Sequence, residues 1–515
     1  MHLTQFLHRA VQQHPDANAT VFGDRVRTVS ESADRIARLA GGLARLGVER
    51  GDRVAMLALN SDRYHEYFLA TAWLGAVATP VNTRWSPGEI AYSLLDSGTG
   101  TLLVDDAFAA LVPELRDRCP DVHRIVFLGE GELPAGTTGY EELIASADPI
   151  PDTRTGGDEL LGIFYTGGTT GNPKGVMLSH DNVCASAAGS MVTTELLTRG
   201  GRMLHAAPMF HLADFAQWVC GNMIGSTHVI VPAFTPAGVR EAVERHTVTD
   251  ALLVPTMIQM LVDDPATAAA DLGSVRHILY GASPISTAVL ERARKAFPAA
   301  AFTQLYGMTE VAPVATVLDA ADHEDPALRR SAGRAAVHAE VRIVDPEDAE
   351  VPRGTVGEVV VRGDGVMLGY WNRPQETAAA LRDGWMHTGD GGRMDENGYV
   401  FIVDRLKDMI ITGGENVYSA EVENALAQHP AVASCAVIGI PDPAWGERVH
   451  AVVVLHPDAR LTTEQMQAHC KALIANYKIP RSLAIMDALP LSGAGKILKR
   501  ELREQFWGDA DSQVS

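Results

Sequence analysis

Cysteine is scarce in this 515-residue chain. There are five, Cys119, Cys184, Cys220, Cys435 and Cys470, and no Cys-x-x-Cys pair. That excludes a disulfide scaffold and predicts reduced, mostly buried thiols in a cytoplasmic protein. The 18 histidines form no His-Glu-x-x-His motif or Cys/His cluster, which argues against a structural zinc site. Positive charge is also short: 43 Lys and Arg stand against 64 Asp and Glu, a net charge of −21. Broad binding to nucleic acid or to an anionic membrane is therefore not expected. No apolar run reaches the roughly 18 residues of a membrane-spanning helix. The start, Met1-His-Leu-Thr-Gln-Phe6, has no charged segment followed by an apolar one, so no signal peptide is read. Internal repeats and low-complexity stretches are missing as well.

What is present begins with a run that cannot pack a core. Thr166, Gly167, Gly168, Thr169, Thr170 and Gly171 are followed by Asn172, Pro173, Lys174 and Gly175. Such a run turns tightly and exposes successive backbone N–H groups. The threonines add hydroxyls and Lys174 adds charge, a donor set suited to a polyphosphate. It is not the Gly-x-x-x-x-Gly-Lys-Ser/Thr loop, because Gly175 stands where the metal-binding hydroxyl would be. A plain Gly-rich surface turn is the alternative for such a run taken alone.

The length predicts at least two domains. Ile36, Leu39, Leu43 and Leu46 share one helical face that Gly47 ends, and 53–57 reads as the next strand. Residues 62–75 read as helix and 77–81 as extended. This alternation predicts an α/β fold, with parallel sheets covered by helices. Gly281, Ala282 and Ser283 follow the strand 277–280, and Tyr306-Gly-Met-Thr-Glu310 follows another apolar run. Ligand groups gather at such strand ends. From 354 to 401 the pattern turns β-rich, with strands at 358–362 and 399–403. The charged run Asp404-Arg-Leu-Lys-Asp408 then precedes a small α+β unit. Ser419 is expected to cap a helix over 420–428, and 435–440 and 449–454 to be strands. Thr462-x-x-Gln465 reads as a capping box for a helix whose face is Met466, Cys470, Leu473, Ile474 and Tyr477. The expected division is a large N-terminal domain, 1–404, containing a β-rich subdomain. A hinge at 405–408 and a mobile C-terminal domain, 409–515, follow it. The tail after Trp507 is polar and expected to fray.

The order of motifs resembles the acyl-adenylate-forming superfamily of acyl- and aryl-CoA synthetases, peptide-synthetase adenylation domains and luciferases. The resemblance runs from about residue 20 to 500. It rests on Thr166–Gly175, Pro208-Met-Phe-His211, Tyr306–Glu310, Gly369-Tyr-Trp-Asn372, Trp385–Asp390, Asp404–Asp408, Gly413–Tyr418 and Gly495-Lys-Ile-Leu-Lys-Arg500. It implies ATP, Mg²⁺ and coenzyme A as cofactors and a small carboxylic acid as the partner. A carboxylate is a poor electrophile. Its attack on the α-phosphorus of ATP makes an acyl-adenylate and brings two anions together, so positive charge must be placed between them.

By this resemblance Lys496 meets the carboxylate and α-phosphate. Glu310 holds Mg²⁺ and Thr309 donates to the α-phosphate. Tyr306 covers the adenine, and Gly281, Ala282, Ser283, Gly307 and Met308 are expected among the cofactor-binding residues. Asp390 accepts from the ribose hydroxyls, Arg405 contacts the ribose from the hinge side, and Ile402 is expected among the cofactor-binding residues. His211 sits by the acyl group. Gly413 and Gly414 pass the pantetheine arm after the C-terminal domain turns about Lys407. Taken singly, each has a plain reading: a solvated lysine, a core tyrosine, a turn aspartate or a satisfied core histidine.

The expected function is ATP-dependent activation of a fatty or aryl carboxylic acid, then transfer to coenzyme A. The alternative is adenylation with another acceptor or oxyanion: a carrier-protein thiol, an amine or nitrite. Pocket candidates are His211, Asp214, Phe215, Trp218, Tyr280, Gly281, Ala282, Met308 and Val311, with the two small residues leaving room for a ring or chain. A homodimer is compatible with the sequence. The chain departs from the family pattern at Gly167, more often Ser, at Asp404, often Gly, at Ser419, often Pro, and at Ala335, often Pro.

Overall fold

The apolar spacing at 36–46 becomes helix Val29–Arg45, opened by a capping box between Thr28 and Glu31. Ile36, Leu39 and Leu43 are fully buried, and Gly47, at φ 86°, stops the helix in the left-handed region. A computed structural model describes residues 1–166, 172–283, 285–405 (Arg405 by its backbone only), 408–412, 415–443, 445–492 and 496–507. Contacts divide the chain into two compact units. The first comprises Met1–Ser283, Glu291–Val341 and Val361–Met386; the second comprises Pro284–Leu290, Arg342–Val360 and His387–Ser515.

Among the described residues the first unit carries two large sheets. The nine-stranded sheet runs in the order Arg334–Ala335, Val314–Leu318, Ala301–Gly307, His277–Gly281, Asp250–Leu252, Arg202–His205, Thr227–Ile230, Asn18–Phe22, Arg25–Thr28. Its middle is parallel, with His277–Gly281 between Asp250–Leu252 and Ala301–Gly307. The eight-stranded sheet starts at Gly369–Tyr370, Lys174–Ser179 and Leu160–Thr166 and continues through parallel Val77–Pro80, Arg53–Leu57 and Thr101–Val104. Alternating strands and helices thus give the α/β architecture that the patterning predicts.

Helix Asp62–Leu74 packs against strands of both sheets and is buried along its whole length, charges included. Buried charge requires partners. Asp62 accepts from Arg25 at 2.7 and 2.8 Å, and Glu66 accepts from the Tyr140 hydroxyl at 2.6 Å and pairs with Arg35.

Strands Ala339–Val344, Gly357–Gly363, Leu381–Arg382, Trp385–Met394 and Val400–Arg405 form a further five-stranded sheet in the β-rich stretch that the sequence shows. The C-terminal part of the second unit is a five-stranded sheet led by the hairpin Val432–Asp442 and Gly446–Leu455. Strand alternation divides its core. Val437 and Val449 meet Val422 and Leu426 of helix Ser419–Leu426 and Met466 and Cys470 of helix Thr463–Lys471. Ala436, Ile438 and Val452 meet Leu502 of helix Lys499–Trp507.

Two local expectations need correction. The predicted helical face extends to Tyr477, but the helix ends at Lys471. Leu473 and Tyr477 are exposed, and Asn476–Lys478 is a separate 3-10 turn. Ser419 does not cap its helix; Tyr418 holds that position, and Ser419 lies in the first turn. All five thiols are free, and burial pushes Cys184 and Cys220 up to about 12.

Candidate active site

The two flanks of the Gly/Thr run pair with each other. Strands Leu160–Thr166 and Lys174–Ser179 are antiparallel, with Thr166 opposite Lys174. Gly167, Gly168, Thr169, Thr170 and Gly171 lie outside the described residues. The Lys174 Nζ ion-pairs with Glu376 at 2.6 Å and lies 5.0 Å from the centroid of the Tyr370 ring. Both partners of that ion pair are about a third exposed, so an incoming phosphate can compete for the lysine at little cost.

Tyr370 belongs to the short strand Gly369–Tyr370, which pairs with Lys174–Ser179 and places Tyr370 opposite Val176. Its hydroxyl donates to Glu310 Oε1 at 2.8 Å. Glu310 sits in the 3-10 turn Thr309–Val311, just past strand Ala301–Gly307, and is 6% exposed. Its carbonyl accepts from Met367 N–H at 2.9 Å. The candidate phosphate lysine and the candidate metal carboxylate are therefore brought onto one tyrosine.

Gly281 and Gly307 end adjacent parallel strands, with Gly281 opposite Leu305. A Cβ on Gly281 would stand 2.1 Å from the Leu305 carbonyl oxygen, and one on Gly307 2.0 Å from that of Pro313. Both glycines are required by backbone approach. Ala282 follows at φ 67°, a left-handed conformation sparsely used by residues with a side chain and often found at functional sites. Ser283, Tyr306, Met308 and Thr309 are half-buried beside these strand ends.

His211 is the N-cap of helix Leu212–Ile224. Its Nδ1 accepts from Ala213 N–H at 3.3 Å, which leaves the proton of the neutral ring on Nε2. The next residues turn inward. Asp214 Oδ1 bonds His205 Nδ1 at 2.7 Å, and His205 Nε2 meets His228 Nδ1 at 2.9 Å. Trp218 Nε1–H donates to His65 Nδ1 at 3.0 Å, and the Trp218 ring stacks on Phe215. The Tyr280 hydroxyl bonds His323 Nε2 at 2.7 Å. Asp214, Trp218 and Tyr280, expected in an acid pocket, direct their polar ends to buried histidines.

In the second unit, Asp390 lies on Trp385–Met394 opposite Arg405 of Val400–Arg405, and Ile402 lies opposite Gly392. Asp390 is 5% exposed, and its N–H donates to Thr388 Oγ1 at 3.1 Å. Lys496 is held by a local clasp. Ser492 N–H donates to the Lys496 carbonyl at 2.7 Å, Lys496 N–H donates to Ser492 Oγ at 3.1 Å, and Leu491 bridges Ile497. Lys499, three residues on, pairs with Glu423 at 2.8 Å. Gly413, Gly414 and the hinge residue Lys407 lie outside the described residues. Sequence reasoning named neither Ser492 nor Tyr370 as a site residue, although Tyr370 stands inside a quoted motif.

The chain matches the AMP-binding enzyme family over residues 7–371 and the AMP-binding enzyme C-terminal domain over 421–496. The feruloyl-CoA synthase of an Amycolatopsis species is 41% identical, covering 97% of this chain and 98% of that protein. The indoleacetate–CoA ligase of Aromatoleum aromaticum is 36% identical, with 98% of each covered. Among solved structures, the o-succinylbenzoate CoA synthetase of Bacillus subtilis, in complex with its acyl-adenylate intermediate, has a TM-score of 0.84. It is 31% identical, with 97% of this chain and 98% of that chain covered. The chain belongs to the AMP-binding enzyme family and is an AMP-forming acid–CoA ligase. ATP and coenzyme A are its co-substrates. Among the described residues no helix is long and apolar enough to cross a membrane.

Proposed function

We propose that the ligase activates an aryl or extended apolar monocarboxylic acid, and that the residues assigned by resemblance carry the two half-reactions. The supporting observation is the meeting of Lys174 and Glu310 on Tyr370, beside two strand ends where Gly281 and Gly307 let backbone approach closely. Thr166 and Lys174, with Gly167–Gly171, bind the ATP phosphates. Tyr306 covers the adenine, and Asp390 accepts from the ribose. Thr309 donates to the α-phosphate. Lys496 offsets the charge that builds as the carboxylate oxygen attacks the α-phosphorus and pyrophosphate leaves. His211, with its proton on Nε2, borders the acyl group when the thiol arrives. The 405–408 hinge then exchanges Lys496 for the Gly413–Gly414 loop.

Glu310 fits Mg²⁺ as nucleotide enzymes hold it, with one protein carboxylate and the remaining oxygens from phosphate and water. Among the described residues no group of three or more His, Cys, Asp or Glu gathers as a cage. Bound there, Mg²⁺ would offset the charge on the phosphates.

The test is a panel of fatty, benzoic, arylacetic and phenylpropenoic acids assayed by pyrophosphate release, then by coenzyme A-dependent AMP formation. The feruloyl-CoA synthase relative puts phenylpropenoic acids first in the panel. Turnover is expected to favour one apolar class. Preference for short or dicarboxylic acids would overturn the assignment of the acid.

A further inference from the structure

We propose that Tyr370 is a positioning residue for adenylation. Its hydroxyl fixes the Glu310 carboxylate for Mg²⁺, and its ring face sets Lys174 for the phosphates. This rests on the roles just given to Glu310 and Lys174.

Three observations carry it. The Tyr370 side chain is buried and makes the 2.8 Å hydrogen bond to Glu310 Oε1, the kind of charge-assisted contact that fixes a carboxylate about its last bond. A glutamate held in this way does not have to give up its own rotamer freedom when the ion arrives. The same ring presents its face to Lys174 Nζ at 5.0 Å, within cation–π range. Tyr370 is itself fixed. Its N–H donates to Thr377 Oγ1 at 2.9 Å, and its strand is paired along Lys174–Ser179, next to Lys174. Thr377 Oγ1 in turn donates to the Arg373 carbonyl at 2.8 Å. Carboxylate, lysine and the strand bearing the lysine thus share one rigid tyrosine.

The hydroxyl and the ring can be separated by mutation. Tyr370→Phe keeps the ring and removes the donor. It is expected to raise the Mg²⁺ concentration for half-maximal pyrophosphate exchange by about tenfold, with KM for ATP little changed. Tyr370→Leu removes both and is expected to raise KM for ATP by a further two- to fivefold or so. The double variant Glu310→Gln with Tyr370→Phe should be no worse than Glu310→Gln alone, because the two act through one contact. Thr377→Val, which leaves the tyrosine intact but loosens its backbone, should move the Mg²⁺ requirement in the same direction by less. All are measured on the full-length enzyme, with the melting temperature recorded for each variant. Additive losses in the double variant would make Tyr370 a packing residue and overturn the proposal, as would an unmoved Mg²⁺ titration in both Tyr370→Phe and Thr377→Val. If Glu310→Gln itself leaves the titration unmoved, the metal role of Glu310 fails. If Glu310→Gln shifts it and Tyr370→Phe does not, only the positioning role fails.

Discussion

At Gly281 a single methyl group decides the outcome. The sequence reads this glycine as space for the acid, and on that reading a larger residue would narrow a pocket. The structure places the Leu305 carbonyl where any Cβ must go. Gly281→Ala is therefore expected to destabilise the protein by about 1–3 kcal/mol, read as a lowered melting temperature, and to reduce turnover of all acids together. A selective loss of long acids at unchanged stability would support the pocket reading. Lys496→Ala is the complementary case. Adenylation should fall by about 10²-fold or more, the scale of one positioned electrostatic group, while thioester formation from supplied acyl-adenylate survives. Equal loss of both half-reactions in a folded variant would contradict the role. The motif order singles out Lys496, Glu310 and Asp390 in the sequence as the candidate site residues. It left Tyr370 and Ser492 unassigned, because neither is charged, and the contacts of Tyr370 with Glu310 and Lys174 join segments that only folding brings close.

The buried histidines add a pH dependence of their own. Burial lowers His65 to about 3 and His228 well below its ordinary value, so both are neutral in the folded protein. Once unfolded they titrate near 6.5. Between about pH 6.5 and 3 the unfolded chain therefore binds more protons. Stability is full above that window and declines through it, by about 1.4 kcal/mol per pH unit for each histidine. Denaturant titrations from pH 7 to 4.5 should show this decline, and His65→Gln should make it shallower. An equal slope in the variant would mean that other groups set it.

At the scale of elements, two departures from the family pattern turn out to be partners. The Asp404 carboxylate, at the end of Val400–Arg405, accepts from both the N–H and the hydroxyl of Ser419 in the first turn of helix Ser419–Leu426. Lys499, on the last helix, also donates to the Ser419 hydroxyl. A proline at 419 has neither donor, and a glycine at 404 has no acceptor. Proline is ordinarily welcome in a first turn. Here Ser419→Pro is expected to cost about 1–3 kcal/mol, because a buried carboxylate loses two donors. Adding Asp404→Gly should recover most of that loss in denaturant titrations. Strictly additive losses would show that the pair does not interact. Both departures were visible in the chain, but their pairing was not, because it joins positions 15 residues apart across a turn of the fold. The overlong helix at 463–477 failed for the opposite reason. Apolar residues kept a helical spacing past Lys471, where the backbone had already left the helix and Leu473 faces solvent.

For the whole molecule, patterning predicted helix-covered parallel sheets followed by a β-rich stretch and a small α+β end, and each is present. What local patterning cannot convey is pairing between distant segments, such as Gly369–Tyr370 with Lys174–Ser179. The proposed hinge belongs to this scale. Lys407→Pro fixes φ and removes a backbone donor. It should leave acid-dependent pyrophosphate exchange near wild type and abolish coenzyme A thioester formation. Unchanged thioester turnover would place the pivot elsewhere.

The distant pairing also sets a timetable for synthesis. Until Gly369–Tyr370 has left the ribosome, strand Lys174–Ser179 is the open edge of its sheet, with unpaired backbone groups able to join another chain. Roughly 190 residues separate the two strands, which at about 5–20 residues per second is a wait of about 10–40 s. A slow codon or stalled ribosome between 180 and 369 lengthens that exposure. Gly369–Tyr370 is the last strand of this sheet in chain order and carries Tyr370, so the residue that closes the sheet edge is also the one that holds Glu310.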